Sequence, residues 1–193
     1  MALVLASSSA IRKTMLAQAG VDFEVEPPLI DEEAEKGRHD DPRPLALALA
    51  EAKAREVSRR RPGDLVIGSD SVVSVDKRIF GKPRDREEAA AHLRIFSSRE
   101  LVLTSAVSLA RDGDVEWSEA DTARLAVRAL SESFIETYLN AEWPEVGYCV
   151  GVFRLEGRGV QLFDSIEGSY FTILGMPLLP LLKALRVRGV LPE

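Results

Sequence analysis

Short apolar runs alternate along the chain with longer segments of helical periodicity. Residues 3–6 and 65–68 are continuous apolar runs too short for a helix, and the second is rich in β-branched side chains. Helices are predicted over 10–19, 41–61 and 86–96, each opened or closed by residues that favour helix ends, and the second ends in the basic run Arg59-Arg60-Arg61. The order of these segments, with no internal repeat, predicts an α/β layered fold rather than an all-helical or all-β one.

Two further segments depart from this alternation. Residues 27–43 begin with Pro27-Pro28 and are polar, which predicts a long loop or a lid. Residues 177–185 are apolar on several sides of a predicted helix. That helix belongs either to the core or to a dimer surface.

Composition narrows the class of protein. A chain of 193 residues, 46% apolar and 29% charged, fits one soluble globular domain or one domain with two lobes. The net charge of −6 argues against a broad nucleic-acid surface, so an anion site would be a local cluster of basic residues. The single cysteine, Cys149, forms no intramolecular disulfide and is predicted to be a buried small hydrophobe. With no apolar run for a membrane span and no signal-peptide pattern, we expect a cytoplasmic protein.

The first thirteen residues carry the pattern of a phosphate cradle. The strand-like run ends in three hydroxyls, Ser7 to Ser9, and the next helix begins at once. Backbone N–H groups and the helix dipole at such a point attract an anion, and Arg12 and Lys13 could fold back to neutralise it. The alternative is that Ser9 only caps the helix, and this segment alone does not decide between the two.

Three charged residues elsewhere are candidates for the same chemistry. Asp70 follows a buried run and Gly68, at the kind of sheet edge where ligands gather, although an aspartate in a turn is the alternative. Lys53 lies on the buried stripe of its helix, where it either meets an anion or extends to the surface. Lys82 stands between a glycine and a proline, on stiff extended backbone that aims one cation.

Together these residues resemble the Maf-type nucleoside triphosphate pyrophosphatases, which are related in fold to the inosine triphosphate pyrophosphatases. The resemblance runs nearly end to end through seven ordered blocks. They are LASSSAIRK at 5–13, IDE at 30–32, LALAEAKA at 47–54, IGSDSVV at 67–73, GKPRD at 81–85, GVFRLEGRG at 151–159 and IEGSYFTILGMPL at 166–178.

The resemblance implies one domain over residues 1–193, with two lobes around a nucleotide cleft and an elongated mixed sheet flanked by helices. It implies hydrolysis of a nucleoside triphosphate to the monophosphate and pyrophosphate with a divalent metal, Mg²⁺ or Mn²⁺. The matched positions make Asp70, Lys53 and Lys82 catalytic candidates, Ser7, Ser9, Arg12, Lys13 and Glu156 substrate-binding candidates, and Glu32 and Asp70 metal ligands. It further implies housecleaning of non-standard nucleotides, a homodimer, and a connection with septum formation and cell division.

Departures from the family pattern affect the prediction of which nucleotide base is bound. The family has proline and often arginine where this chain has Ala10 and Ile11, so Lys13 would supply the missing charge. A subgroup that resembles 7-methyl-GTP pyrophosphatases has glutamate at the position of Glu156, whereas the dTTP and UTP subgroup tends to have glutamine. A carboxylate accepts both donors of a guanine edge, whereas a pyrimidine edge offers one donor between two acceptors. We therefore expect a guanine-type base, with a surface glutamate in a glycine-rich turn as the alternative.

Two other functions stay open. A nucleotide-binding regulator of cell division without turnover would use most of the same residues, but it gains little from Asp70, whose charge repels phosphates when no metal is present. A nucleic-acid-binding module is disfavoured by the net charge and by the lack of a basic stripe with aromatic residues.

Overall fold

The computed structural model of the protein describes residues 1–192, apart from the side chain of Lys36. Its strands are β1 Leu3–Ala6, β2 Glu24–Val25, β3 Leu65–Val75, β4 Arg78–Phe80, β5 Glu100–Arg111, β6 Asp114–Val127 and β7 Phe163–Glu167. Its helices are α1 Ala10–Gln18, α2 Glu32–Lys36, α3 Pro42–Arg60, α4 Arg86–Phe96, α5 Glu132–Glu142, α6 Tyr170–Ile173 and α7 Leu178–Val187. Single 3-10 turns cover Glu145–Tyr148 and Arg158–Leu162. No helix in the described chain is both long and apolar enough to cross a membrane.

The strands form one mixed sheet in the order β2-β1-β3-β5-β6-β7, with β4 paired to β3. Strand β1 runs parallel to both β2 and β3, and Ala6 lies opposite Gly68. The β3–β4 and β6–β7 pairs are antiparallel. The predicted α/β class and mixed central sheet are therefore confirmed.

The chain divides into two compact units. The first contains Met1–Ser71, Thr104–Asp121 and Ser169–Glu193, and the second contains Val72–Leu103 and Thr122–Gly168. The divisions fall inside β3, β5 and β6, so these long strands contribute to both units.

In the first unit, β1 and β3 are buried on both faces. Alternate residues of a strand point to opposite faces. One face packs against α1 and α7 through a core cluster that includes Leu5, Ile67, Leu16 and Leu185. The other face carries Val4, Ala6 and Val66, which cluster with Val57 of α3. Because helices cover both faces, the polar groups of this unit can gather only where the strands end.

In the second unit, aromatic rings form part of the core. The Phe80 ring meets His92 and Phe96 edge-on, at centroid distances of 5.2 and 4.9 Å. Burial lowers the pKa of His92, so the imidazole is neutral near pH 7. The side chain of Asp85 caps α4 by accepting from the Glu88 amide, and the Glu88 side chain accepts from the Arg84 amide.

The predicted loop over residues 27–43 contains a short helix, α2. Its first turn is acidic, which suits a helix N-terminus, and Asp31 accepts hydrogen bonds from the amides of Glu33 and Ala34. The segment was predicted as a loop because five helical residues are too few to create a periodic apolar pattern.

Candidate active site

The phosphate-cradle segment has the predicted strand–turn–helix form. Ser7 follows β1 and is buried, and its hydroxyl accepts a hydrogen bond of 3.2 Å from the Ser9 amide. Ser9 occupies the N-cap position of α1, but its hydroxyl makes no capping hydrogen bond. Lys13 lies in the first turns of α1 and is partly exposed. The Ser9 hydroxyl and the first amides of α1 are therefore not committed to a side-chain cap.

Arg12 is held in one orientation from the opposite end of the chain. Its Nε donates to the carbonyl of Gly175 at 2.9 Å, and its Nη2 donates to the Ser71 hydroxyl at 3.1 Å. Gly175 has φ of +109°, and a Cβ there would lie 3.3 Å from Ser71 Oγ. Burial lowers the pKa of Arg12, while the charges of Asp70 and Glu32 act to raise it. The guanidinium therefore stays charged and lies within electrostatic reach of both carboxylates.

A chain of hydroxyl groups supports this arrangement. Ser105 Oγ donates to the Thr172 carbonyl at 2.8 Å, so its hydrogen is already used. Ser71 Oγ lies 2.8 Å from Ser105 Oγ and 3.2 Å from the Gly175 carbonyl oxygen, so its one hydrogen is donated to one of these two acceptors. Ser71 accepts from Arg12 and donates onward, which gives the hydrogen bonds one direction.

Lys53 reaches Asp70 in the middle of β3 because α3 packs unusually close to that strand. A Cβ on Gly68 would lie 2.1 Å from the Ala50 carbonyl oxygen and 2.6 Å from the Ala54 nitrogen. Only glycine allows this approach. Since Lys53 lies between Ala50 and Ala54, the same close contact brings its side chain to Asp70, two residues after Gly68 in the strand.

There the Lys53 ammonium lies between two carboxylates. Its Nζ is 2.6 Å from Asp70 Oδ1 and 2.7 Å from Glu32 Oε1. The Lys53 and Asp70 side chains are only 8% and 12% exposed, whereas Glu32 is 43% exposed. A buried ion pair of this kind is costly to desolvate and is weak evidence of a purely structural role. Glu32 reaches the site from the first residue of α2, so the segment predicted as a loop supplies one of the carboxylates.

This donor set fits a hard divalent cation. Asp70 and Glu32 converge on one positively charged point, and carboxylate oxygens are the ligands that Mg²⁺ prefers in proteins. Within residues 1–192, no three acidic, histidine or cysteine side chains form a metal cluster on their own. A metal held here would take its remaining ligands from substrate phosphates and water, which is how Mg²⁺ is usually bound with nucleotides.

Lys82 and Glu156 belong to the second unit. Both are exposed, Lys82 before α4 and Glu156 in the turn that precedes Arg158–Leu162. Cys149 is half-buried, which differs from the predicted full burial. Burial and the charge of Glu156 raise the pKa of the Cys149 thiol to about 11, while Arg154 and Lys82 act to lower it. Glu156 and Lys82 therefore both lie within electrostatic reach of the same thiol.

The turn that carries Glu156 is tightly folded. The Gly157 amide donates to the Arg154 carbonyl at 3.1 Å. A Cβ on Gly159 would lie 2.4 Å from that same carbonyl oxygen, so the chain folds back over Arg154 and only glycine fits. The two glycines thus fix a compact turn, with the exposed Glu156 between its ends.

A model of the family described as Maf-like protein matches residues 2–188. The match covers nearly the whole chain. The chain belongs to the Maf-like protein family.

Relatives in this family are similar over their full length. The chain is 46% identical over 193 aligned residues to a 7-methyl-GTP pyrophosphatase of Rhizobium meliloti, covering 98% of this chain and 97% of that protein. It is 47% identical to a nucleoside triphosphate pyrophosphatase of Nitrobacter hamburgensis, and the alignment covers 98% of this chain and 95% of that protein. A solved structure described as a nucleoside-triphosphatase, dITP/XTP pyrophosphatase, from Mycobacterium abscessus is 19% identical, with a TM-score of 0.41 over 66% of this chain and 73% of that chain.

For this Maf-like chain, the structure brings four predicted site residues together. Arg12, Lys53, Asp70 and Glu32 form one charged group in the first unit. Ser7, Ser9 and Lys13 follow the end of β1, where Ala6 lies opposite Gly68, so Asp70 of the continuing strand β3 lies just beyond the end of β1.

Sequence reasoning missed the residues that orient Arg12. Ser71 and Gly175 were inside quoted motifs but had no role assigned, and Ser105 lay outside those motifs. One signal existed: Ser69 and Ser71 are two residues apart on a strand and therefore share a face. Both hydroxyls do reach the Gly175 carbonyl, at 3.0 and 3.2 Å. The partner on that face is 104 residues away in the chain, and no local pattern reveals it.

Proposed function

We propose that this protein is a nucleoside triphosphate pyrophosphatase, which hydrolyses a nucleoside triphosphate to the monophosphate and pyrophosphate. The observation that carries the proposal is the Lys53 ammonium held between Asp70 of β3 and Glu32 of α2. The names of relatives at 46% and 47% identity support this reaction class. In this proposal the enzyme removes non-standard nucleotides, with 7-methyl-GTP as the favoured substrate.

The basic residues bind the triphosphate. Arg12 offers a guanidinium whose Nε and Nη2 are already oriented, so little conformational freedom is lost when it meets a phosphate. Lys53 adds a buried charge beside it, and Lys82 of the second unit adds a third cation. Ser7, Ser9 and Lys13, with the first amides of α1, contribute hydrogen bonds to the same anion. These groups stabilise the charge that accumulates on departing pyrophosphate.

Asp70 is the proposed general base. Lys53 hydrogen-bonds to Oδ1 and fixes the carboxylate, so Oδ2 is the oxygen that would take a proton. Water adds to the α-phosphorus and gives one proton to Asp70. The bond between the α-phosphorus and its bridging oxygen breaks, and pyrophosphate leaves with the electron pair. No covalent intermediate with the protein is needed.

Asp70 and Glu32 are also the proposed ligands of a divalent metal, Mg²⁺ or Mn²⁺. Such an ion, when bound, neutralises phosphate charge and lowers the pKa of water. Lys53 lies beside both carboxylates and serves as a counter-charge that offsets the repulsion between them.

Glu156 is the proposed reader of the base. As an ionised carboxylate it accepts hydrogen bonds but donates none, so it suits the N1–H and exocyclic amine of guanine. Its charge also favours 7-methylguanine, which is cationic. A glutamine here would supply both a donor and an acceptor, which suits a pyrimidine edge better.

The test is pyrophosphate release with Mg²⁺ from GTP, 7-methyl-GTP, UTP, dTTP, CTP and ATP, by the wild type and by Glu156→Gln. Glu167→Gln is the matched control, since Glu167 is another exposed glutamate of the same unit. We expect wild type and control to prefer 7-methyl-GTP or GTP. Glu156→Gln should lose about tenfold or more of that preference, because one bidentate pair contributes about 1–3 kcal/mol of discrimination.

Two results would count against parts of the proposal. A wild-type preference for UTP or dTTP would contradict the role of Glu156 and leave the pyrophosphatase in place. No cleavage of any nucleotide, combined with measurable nucleotide binding, would contradict the enzyme and favour a non-catalytic regulator.

A further inference from the structure

Glu142 is a buried carboxylate that the proposed reaction does not use. It is the last residue of α5 and only 8% exposed, and its Oε2 is buried without a hydrogen-bond partner among the described residues. The Nε of Arg154 is likewise buried and unpartnered in that part of the chain. These two atoms face each other at 3.8 Å. This separation is an ion-pair distance but too long for a hydrogen bond.

Such a pair calls for an explanation, because buried polar atoms are nearly always hydrogen-bonded. A second described carboxylate close to Arg154 is that of Glu145, whose Oε2 lies 3.9 Å from Nη1 and whose side chain is 62% exposed. The second Glu142 oxygen is 4.0 Å from Arg158, which is 64% exposed. Because solvent screens the exposed partners, the buried Glu142–Arg154 pair is the strongest electrostatic link at this point.

The link acts on the turn that carries Glu156. Arg154 begins this turn, its carbonyl accepts from the Gly157 amide, and Gly159 packs directly against its backbone. A Cβ on Gly157 would lie 3.6 Å from both Arg154 Nη2 and Glu142 Oε2, so the turn and the ion pair are in direct contact. A shift of the Arg154 side chain therefore moves the peptide units on both sides of Glu156.

We propose that Glu142 is a positioning residue for base selection: its buried carboxylate holds Arg154, and Arg154 holds the turn that presents Glu156. The inference rests on the proposed function for the role of Glu156, but the mechanical link from Glu142 to the turn does not. Neither Glu142 nor Arg154 needs to touch the substrate. The 3.8 Å gap can close into a charge-assisted hydrogen bond with a movement of less than about 1 Å, which would stiffen the turn further.

The electrostatic surroundings agree with this assignment. The charges of Glu142, Arg154 and Glu156 all influence the buried Tyr138 hydroxyl, which donates to the Val152 carbonyl at 3.0 Å. Val152 has φ of +57°, which is unusual for a β-branched residue. The backbone that leads into the Glu156 turn is therefore fixed from α5 at two points, through Tyr138 and through Glu142.

The test compares Glu142→Gln with Glu145→Gln, because both remove a carboxylate charge near Arg154 but only the first is buried. The first readout is hydrogen exchange of the Gly157 amide, followed by NMR without nucleotide. We expect Glu142→Gln to speed this exchange about tenfold, whereas Glu145→Gln changes it less than about twofold. The second readout is the ratio of kcat/KM for 7-methyl-GTP to that for UTP. It should fall about tenfold in Glu142→Gln, mainly through KM, and stay unchanged in the control.

A second variant, Arg154→Lys, tests the same contact in case Glu142→Gln does not fold. Arg154→Lys keeps the charge at a partly exposed side chain but lacks the Nε donor, and it should reproduce the loss of preference. The double variant Glu142→Gln/Arg154→Gln should lower the ratio of kcat/KM values no more than the more damaging of the two single variants, because both changes act through one contact.

Equal Gly157 exchange in Glu142→Gln and Glu145→Gln would overturn the inference, as would an unchanged substrate ratio in Glu142→Gln with wild-type turnover. If the wild type hydrolyses no nucleotide, the proposed function fails, and the exchange comparison still decides whether Glu142 holds the turn.

Discussion

Gly68→Ala should damage the active site without changing any residue that touches the substrate. The added Cβ would lie 2.1 Å from the Ala50 carbonyl oxygen, and such contacts essentially never fall below 3.0 Å. Helix α3 must therefore move away from β3 by about 0.9 Å at this point. If the helix moves as a rigid body, the Lys53–Asp70 distance of 2.6 Å grows to about 3.5 Å, beyond hydrogen-bond range.

The change should affect both stability and turnover. Overpacking of a core costs about 1–3 kcal/mol, and that corresponds to a fall in Tm of about 2 to 12 °C for a chain of this size. A displacement of about 1 Å at a catalytic group can lower kcat about 100-fold. The assay is calorimetric Tm together with pyrophosphate release by protein that remains folded at the assay temperature.

Gly37→Ala is the matched control. Gly37 has ordinary right-handed backbone, and a Cβ there meets its nearest neighbour, the Glu33 carbonyl oxygen, at 3.7 Å. The control should keep the wild-type Tm and activity. If Gly68→Ala also kept both, the close packing of α3 on β3 would not be what places Lys53, and the reasoning would be wrong.

Three further changes probe separate parts of the account. Lys53→Met removes the cation beside Asp70 and should lower kcat by about 100-fold or more in pyrophosphate release, because preorganised charge is a large part of catalysis; activity within about twofold of wild type would contradict this. Ser71→Ala removes one of the two acceptors that orient Arg12 and should raise KM about tenfold, since hydrogen bonds to charged groups contribute about 1.5–3 kcal/mol. An unchanged KM would show that the Gly175 carbonyl alone is sufficient to orient Arg12. The raised pKa of Cys149, about 11, predicts that alkylation of the folded protein is slow near neutral pH and rises with an inflection near pH 11. Because the folded thiol keeps its proton to higher pH than the unfolded one, this group's contribution to stability is complete below about pH 9 and declines as pH rises towards 11. An inflection near the value of the urea-unfolded chain would contradict the burial argument.

Local sequence patterns were sufficient to predict most of the helices. Helix α4 was predicted over the residues that form it, and α1 and α3 differ from prediction by one residue at their ends. These helices have strong end signals, such as Asp85 and Asp41, whose side chains accept from helix amides. Helix α2 was missed because its stability comes from a cap and a charged first turn rather than from a periodic apolar face.

The site was partly predictable for a similar reason. Asp70 and Lys53 each broke a local rule, since each placed a charge on a buried strand end or a buried helix stripe, and the structure pairs them. The contacts of Arg12 with Gly175, and of Glu142 with Arg154, correspond to no recognisable pattern in the local sequence. The first joins residues 163 apart in the chain, and the second depends on how a glycine-rich turn folds back. Their partners are set by tertiary packing, which no short window of sequence contains.

The most direct test of the central claim follows the oxygen of water during turnover. Wild type and Asp70→Asn are incubated with Mg²⁺ and 7-methyl-GTP or GTP in water labelled with a heavy oxygen isotope. The isotope content of the monophosphate and of pyrophosphate is then measured by mass spectrometry. The account predicts that the wild type places the label in the monophosphate and none in pyrophosphate, and that Asp70→Asn slows this by about 100-fold or more. Label in pyrophosphate, or undiminished turnover by Asp70→Asn, would contradict attack on the α-phosphorus by water that Asp70 deprotonates.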